Sequence, residues 1–395
     1  MLPVRLVDTE QKHLEQLITD EAAEGLHLEF KEEFPGNWPD AIKKEVLADI
    51  SAFANAGGGD LVYGIAEAQG STYADRIVPQ QIADVDGEVR RLQDLLKNSV
   101  EPRIPGVQIQ PVAVVIAGVT GHVIVVRIPQ SWIGPHRVTP SLHFFTREGG
   151  RKREINVSEI RTLFLRSAGQ AQRVRDFRTE RLGKILAGET PYKLKSDSVL
   201  VMHVVPVQAV FGADAVDPVQ YLNMRRGMPV ICARGVGETL VNLDGAAGAR
   251  PVQEGETHGY SLIFRNGFIE STWVLGSRRP EDGPLLAGGV FEDYLAQFVS
   301  AVFDELENWG MSKQVIVMLS VLGARRVSVG FQQGFDGPQR KHFDRDVLVV
   351  PDIELAGERD LRLELKPLFD LIWQAAGFVG SPHYDAVGNH RPLKF

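Results

Sequence analysis

The sequence predicts an α+β fold built as two units, and three observations carry that prediction. At 395 residues the chain is longer than one hydrophobic core usually organises. Segments with helical spacing and segments with strand alternation interleave along its whole length. Hydrophobic content of 44% and charged content of 24% are ordinary globular values. In order, the first unit opens with a helix over 8–20, where Leu14, Leu17 and Ile18 repeat behind an Asp8 cap. A strand follows at 26–31. "PDAIKKEVLADISAFANAGGG" places Pro39 in a first helical turn and Ile42, Val46, Ile50, Phe53 and Ala54 on one stripe, with Gly57–Gly59 as the stop. "DLVYGIAE" is a buried strand, 86–98 a helix, and 107–128 a hairpin turning near Gly118–Gly121. "LHFFTRE" is a further strand, and "INVSEIRTLFLRS" a helix capped by Ser158. These elements make a unit of mixed sheet and helices over 1–168.

Residues 169–196 are polar and charged and read as a partly helical linker. The second unit, 197–395, holds a hairpin with Asn266-Gly267 at its turn. A helix follows with Phe291, Leu295, Phe298, Val302 and Leu306 on one side. Strands lie in "QVIVMLSVLG" and "DVLVVPDIEL", and "LKPLFDLIWQAAGF" is a closing helix. Nothing in this unit marks a catalytic motif, so its role stays unassigned.

The single cysteine, Cys232, forms no intramolecular disulfide and supplies no thiolate cluster for zinc, so a reducing compartment is expected. The first sixteen residues lack a basic region followed by an apolar core, and no apolar run reaches the roughly 20 residues of a spanning helix. A cytoplasmic protein without a membrane partner is the expectation, with a homo-oligomer left open. The net charge is −8, yet residues 137–184 carry twelve Arg and Lys against five acids. A basic segment in an acidic chain is either a phosphate-binding surface or a solvated helix with paired charges. The group "TREGGRKRE" favours the former, because a Gly-Gly turn would gather Arg147, Arg151, Lys152 and Arg153 at one tip.

The stretch "EGLHLEFKEEFP" raises the sharpest chemical question. Alternation sets Leu26, Leu28 and Phe30 on one face and His27, Glu29 and Lys31 on the other. Glu29 and Lys31 are either a strand-edge salt bridge or the acid-x-Lys element of a Mg²⁺- or Mn²⁺-dependent nuclease. A turn at Gly25 would bring Glu24 back toward Glu29, and Asp60 or Glu67 would supply a third carboxylate. On this reading the clustered carboxylates repel one another, and Glu29→Gln is expected to leave folding intact or improved.

This opening, followed by "ADISAFANAGGGDLVYGIAE", resembles the start of the Schlafen core, known in bacterial proteins as the AlbA_2 domain. "HFFTREGGRKREINVSEIRTLF" looks like its closing element, so the resemblance covers roughly residues 10–168. It implies an endoribonuclease acting on tRNA or other structured RNA, with three carboxylates holding Mg²⁺ or Mn²⁺. Matched residue by residue, these are Glu24, Glu29 and Glu67, with Lys31 stabilising charge. Many relatives carry Asp just after the glycine-rich strand, where this sequence has Ala66 and then Glu67. Phage defence follows from the family by analogy alone. The family has also been described as ATP-binding, but no Gly-Lys-Ser/Thr closes a phosphate loop after "NAGGGD". Asn55 and Gly57–Gly59 are better read as a helix cap and a close-packing turn. Two rival functions are a nucleic-acid-binding regulator without catalysis and a nucleotide-binding switch.

Overall fold

The structure is a computed structural model. It describes all residues except 1, 4, 213–215, 223–227, 232–235, 252–254, 277–282, 332–338, 356, 358–359, 386–387, 389 and 391–395, so Cys232 lies outside the described residues. The chain forms two compact units, Met1–Gln172 and Arg173–Phe395.

Helices of the first unit are α1 (Gln11–Thr19), α2 (Asp40–Asn55), α3 (Val85–Ser99) and the start of α4 (Val157–Leu186). Its strands are β1 (Leu28–Lys31), β2 (Gly59–Tyr63), β3 (Ile65–Glu67), β4 (Ala74–Ile77), β5 (Val100–Glu101), β6 (Gln108–Ile116), β7 (Val119–Ile128), β8 (Arg137–Val138), β9 (His143–Glu148) and β10 (Arg151–Glu154). One sheet runs β1-β2-β7-β6, with β1 parallel to β2 across the α2 crossover and the other pairs antiparallel. A second runs β10-β9-β8-β5, and α2 packs against β9.

The alternation of β1 and β2 decides which face each core takes. Phe30 and Val62 join Leu14 and Leu17 of α1, together with Val112, Val114, Val123 and Val125. Leu61 and Tyr63 join Val46, Leu47, Ile50 and Phe53 of α2, with Leu92 and Leu96 of α3. Glu29 and Lys31 alternate with Phe30, so they point toward α2. The charged face of β1 is therefore turned inward.

Several local expectations need correction. The strand begins at Leu28, and Leu26 is exposed. Glu10, not Asp8, caps α1, its N–H donating to His13 Nδ1 at 3.0 Å. "DLVYGIAE" is two strands in different sheets, because Gly64 breaks it at φ +101° and β3 turns away to pair with β4. The cap of α4 is Asn156, whose Oδ1 accepts from Glu159 N at 3.0 Å while Glu159 Oε2 accepts from Asn156 N at 3.0 Å. That reciprocal pair sits two residues before Ser158.

The stretch 169–196 holds the second half of α4, whose Val174, Leu182 and Ile185 are buried, and the short strand β11 (Lys193–Leu194). The remaining strands are β12 (Val199–Pro206), β13 (Glu238–Val241), β14 (Gly245–Pro251), β15 (Glu256–Phe264), β16 (Ile269–Val274), β17 (Leu285–Ala287), β18 (Val315–Leu322), β19 (Ser328–Phe331), β20 (Gln339–His342), β21 (Val347–Val349) and β22 (Ile353–Leu355). The short α5 (Val207–Val210), then α6 (Val290–Asn308) and α7 (Leu361–Ala375), complete the second unit. Its main sheet orders β13-β14-β15-β16-β12-β18-β21, antiparallel throughout this path. β15 and β16 form the expected hairpin, with Gly267 at φ +84° in its turn. "DVLVVPDIEL" splits into β21 and β22, which pair with β18 on either side of Pro351.

Candidate functional site

Three of the carboxylates singled out by sequence gather at one end of β1. Gly25 N donates to Leu28 O at 2.9 Å, closing a turn that carries Glu24 back over the strand. Glu24 Oε1 then accepts from Phe30 N at 2.8 Å. A Cβ at Gly25 would meet nothing within 4 Å, so the turn itself does not demand glycine. Glu67, exposed at the bulged end of β3, lies beside Glu24 and sets its charge against that carboxyl. Burial and the neighbouring Glu67 and Glu29 carboxylates push Glu24 up to about 7, against the opposing Phe30 N–H. Asp60, the alternative third acid, is held elsewhere by Arg127, at 2.8 Å from Nε and 2.9 Å from Nη2.

Glu29 sits differently. It is only 7% exposed, with Oε1 2.7 Å from Lys31 Nζ and Oε2 accepting from Arg147 Nη1. Burial opposes its ionisation, but Lys31 and Arg147 outweigh that and hold the carboxyl below its ordinary value. The Glu29–Lys31 salt bridge exists, but it lies inside the domain and not at a strand edge. Lys31 also lies 3.9 Å from Asp49, a carboxylate on α2 that is 1% exposed and that sequence reasoning missed. Asp49 Oδ1 is 2.5 Å from Lys152 Nζ. Burial and the charge of Glu29 raise the Asp49 carboxyl, while Lys152 and Lys31 pull it down. An acid at the edge of the apolar stripe of α2 was the available signal.

The basic tip needs the largest correction. Arg147 is not on it: the residue is 5% exposed and its side chain is walled in. Its Nη2 donates to Gly25 O at 2.8 Å and to Gly150 O at 3.3 Å, and the guanidinium lies 4.1 Å from the Phe53 ring centre. Lys152 reaches Asp49, and Arg153 is paired with Glu148 and Glu159. Arg151 alone of the four is exposed, heading β10 directly after Gly150. Elsewhere in the basic segment, Arg137 pairs with Glu101, Arg178 with Asp352, and Arg181 with Glu270. The excess charge of residues 137–184 is therefore largely neutralised by acids from outside that segment. Position in the fold still matters, because a Cβ on Gly150 would lie 3.8 Å from the backbone of Glu24. The hairpin tip rests on the carboxylate turn.

The glycine run after α2 serves packing. A Cβ on Gly59 would meet His27 O at 2.4 Å, and one on Gly58, at φ +70°, would meet Gln130 N at 2.5 Å. Asn55 donates to His136 O and Phe145 O, each at 2.9 Å, and accepts from His136 N at 2.6 Å. These groups are spent on joining α2 to its neighbours.

Oxygen donors such as Glu24, Glu29 and Glu67 suit Mg²⁺ or Mn²⁺ chemically. The arrangement does not fit such an ion: both Glu29 oxygens are taken. Among the described residues no group of three or more His, Cys, Asp or Glu side chains is placed to hold a metal. No described helix is long and apolar enough to cross a membrane.

Comparison with known proteins places the first unit. No curated protein matches the chain. Among solved structures, the DIP2311 protein of Corynebacterium diphtheriae aligns at 18% identity and TM-score 0.26, over 37% of this chain and 30% of that one. This chain thus spans under a third of that protein's length. The N-terminal domain of a Nitrosomonas europaea protein, described as related to the ATP-dependent DNA helicase RecG, aligns at 21% identity and TM-score 0.23. That alignment covers 31% of this chain and 74% of the other. Residues 24–156, which span the Glu24 turn, β1, the glycine run and the β9–β10 hairpin, match the family described as Schlafen, AlbA_2, so the first unit carries an AlbA_2 domain over those residues.

Proposed function

We propose that the AlbA_2 domain binds structured RNA, tRNA foremost, and cuts it as an endoribonuclease of the Schlafen type. The observation that supports this most is the Glu24–Glu67 carboxylate pair lying under a hairpin tip whose exposed cation is Arg151. A carboxyl pushed up to about 7 beside a second carboxylate is placed to accept or return a proton near neutral pH. Arg151 would meet a phosphate next to it. With Glu29 spent on Lys31 and Arg147, an Mg²⁺ or Mn²⁺ ion in this proposal would have only the Glu24 and Glu67 oxygens to hold it, where it would supply charge to a phosphate. Total tRNA incubated with the pure protein and Mn²⁺ should be cut, and EDTA should protect it, on a denaturing gel. Intact tRNA in both lanes would leave the second reading, a nucleic-acid-binding regulator without catalysis. The saturation of Glu29 by two internal cations favours that reading.

Charge compensation also sets the expected binding behaviour. Affinity for tRNA should fall as salt rises, because phosphate contacts release counterions. Arg151→Glu should weaken binding to all RNA sequences alike and lower the slope of log affinity against log salt by roughly 1. An unchanged slope would show that the hairpin tip makes no phosphate contact. Changing Lys152 or Arg153 is a poorer probe, since each would also strip a partner from Asp49 or from Glu148 and Glu159.

A further inference from the structure

We infer that Glu29 is the anchor of the β9–β10 hairpin and not a metal ligand: it positions the tip that carries Arg151 over Glu24. The inference deepens the proposed RNA-cutting role and rests on that role only for its kinetic arm.

Four observations carry it. Both Glu29 oxygens are engaged, one by Lys31 at 2.7 Å and the other by Arg147. Arg147 is pinned independently by the Gly25 and Gly150 carbonyls and by the Phe53 ring, so its guanidinium cannot leave Glu29 without dismantling the turn and the tip together. Lys152, four residues from the end of β9, is fastened to buried Asp49 on α2, which gives the hairpin a second point of attachment. Glu24, by contrast, is half-buried with its Oε1 accepting only from Phe30 N among the hydrogen bonds of the described residues, and Glu67 beside it is exposed. An ion reaching Glu29 would have to displace a buried, multiply bonded cation.

The test uses the full chain and three readouts on wild type, Glu29→Gln and Arg147→Lys. Hydrogen exchange of the 151–154 amides should speed by about tenfold in both variants, because each loosens the hairpin without unfolding the sheet. Mn²⁺ affinity, measured by electron paramagnetic resonance of the free ion, should stay within about twofold of wild type in both, or be undetectable in all three. In tRNA cleavage, KM should rise while kcat changes by less than about tenfold. A fall of tenfold or more in Mn²⁺ affinity confined to Glu29→Gln, with hairpin exchange unchanged, would overturn the inference and restore Glu29 as a ligand. If Glu29→Gln fails to fold, Arg147→Lys decides alone: it keeps the charge but shortens the reach to Gly25 and Gly150, and unchanged hairpin exchange in it would equally overturn the inference. Wild-type protein that cuts no tRNA would end the nuclease reading and leave the exchange and Mn²⁺ results standing.

Discussion

Glu29→Gln should destabilise the AlbA_2 domain by about 3 kcal/mol, while Glu24→Gln should stabilise it, and the two changes should diverge further as pH rises. From the sequence, Glu29→Gln is expected to leave folding intact or improved, since clustered carboxylates repel one another. The structure separates them. Removing the charge of Glu29 strands Arg147, whose side chain has no exposure to water that could replace the lost partner. Breaking a buried ion pair from one side costs about 3–5 kcal/mol, and the amide oxygen of Gln recovers part of that as a hydrogen bond. Among the described residues no cation forms an ion pair with Glu24; its neighbours include Glu67, Glu29 and the Phe30 N–H, from which a Gln oxygen can still accept. The pH dependence follows from the raised carboxyl. Glu24 titrates near 4.5 when unfolded and at about 7 when folded, so the folded state holds an extra proton between those values. That contribution is complete below about pH 4.5 and lost as pH rises through about 7, and Glu24→Gln escapes the loss. Thermal melts at about pH 5 and pH 8 check both signs. A Glu29→Gln protein that melts above wild type at either pH would show that Arg147 does not depend on it.

In the second unit, Glu270→Ala should be the most damaging single change described here, lowering stability by about 3–5 kcal/mol. Glu270 is fully buried on β16 and accepts from Arg181 Nε at 2.9 Å, Arg181 Nη2 at 3.0 Å and Tyr260 OH at 2.8 Å. His203 Nε2 lies 3.0 Å from Oε2, the oxygen that also accepts from Arg181 Nε, and Phe177 packs edge-on against the His203 ring. Burial alone would raise this carboxyl, yet the His203 and Arg181 hydrogen bonds bring it down to about 2. The network fastens the second half of α4 to the sheet through Arg181. Alanine would leave that guanidinium and the Tyr260 hydroxyl buried without their acceptor, which is the costly case. Urea unfolding followed by near-ultraviolet dichroism of the second unit measures it. A midpoint within experimental error of wild type would mean that the network contributes no net stability, as happens when desolvation cancels attraction.

Much of the fold was legible because it is written in short-range spacing. The stripe of α2, the 107–128 hairpin and the Asn266-Gly267 turn all depend on residues within a few positions of one another. The boundaries that went astray were set by a single backbone choice, as at Gly64, where one positive φ ends a strand that reads as continuous. The α4 extension was hidden for another reason. Val174, Leu182 and Ile185 do keep helical spacing, but Arg181 stands among them as a buried charge, and Glu270 on a distant strand explains it. The candidate site divides in the same way. Glu24, Glu29 and Lys31 are neighbours in sequence and come together through a turn and strand alternation. Arg147 and Glu29 are 118 residues apart, so a cation that reads as part of an exposed tip is a buried counter-ion. Asp49, on α2, was missed because its partners Lys31 and Lys152 belong to two strands far apart in sequence.

Whether Glu24 and Glu67 act together on RNA, as proposed, is decided by the tRNA cleavage rates of the Gln variants at these two positions. Glu24→Gln and Glu67→Gln should each lower kcat by about 10²-fold or more, with tRNA affinity retained through the hairpin tip. The double variant should be scarcely slower than either single one, because the pair acts as a unit. Wild-type rates in both single variants, on protein that melts at least as high as wild type, would contradict the claim.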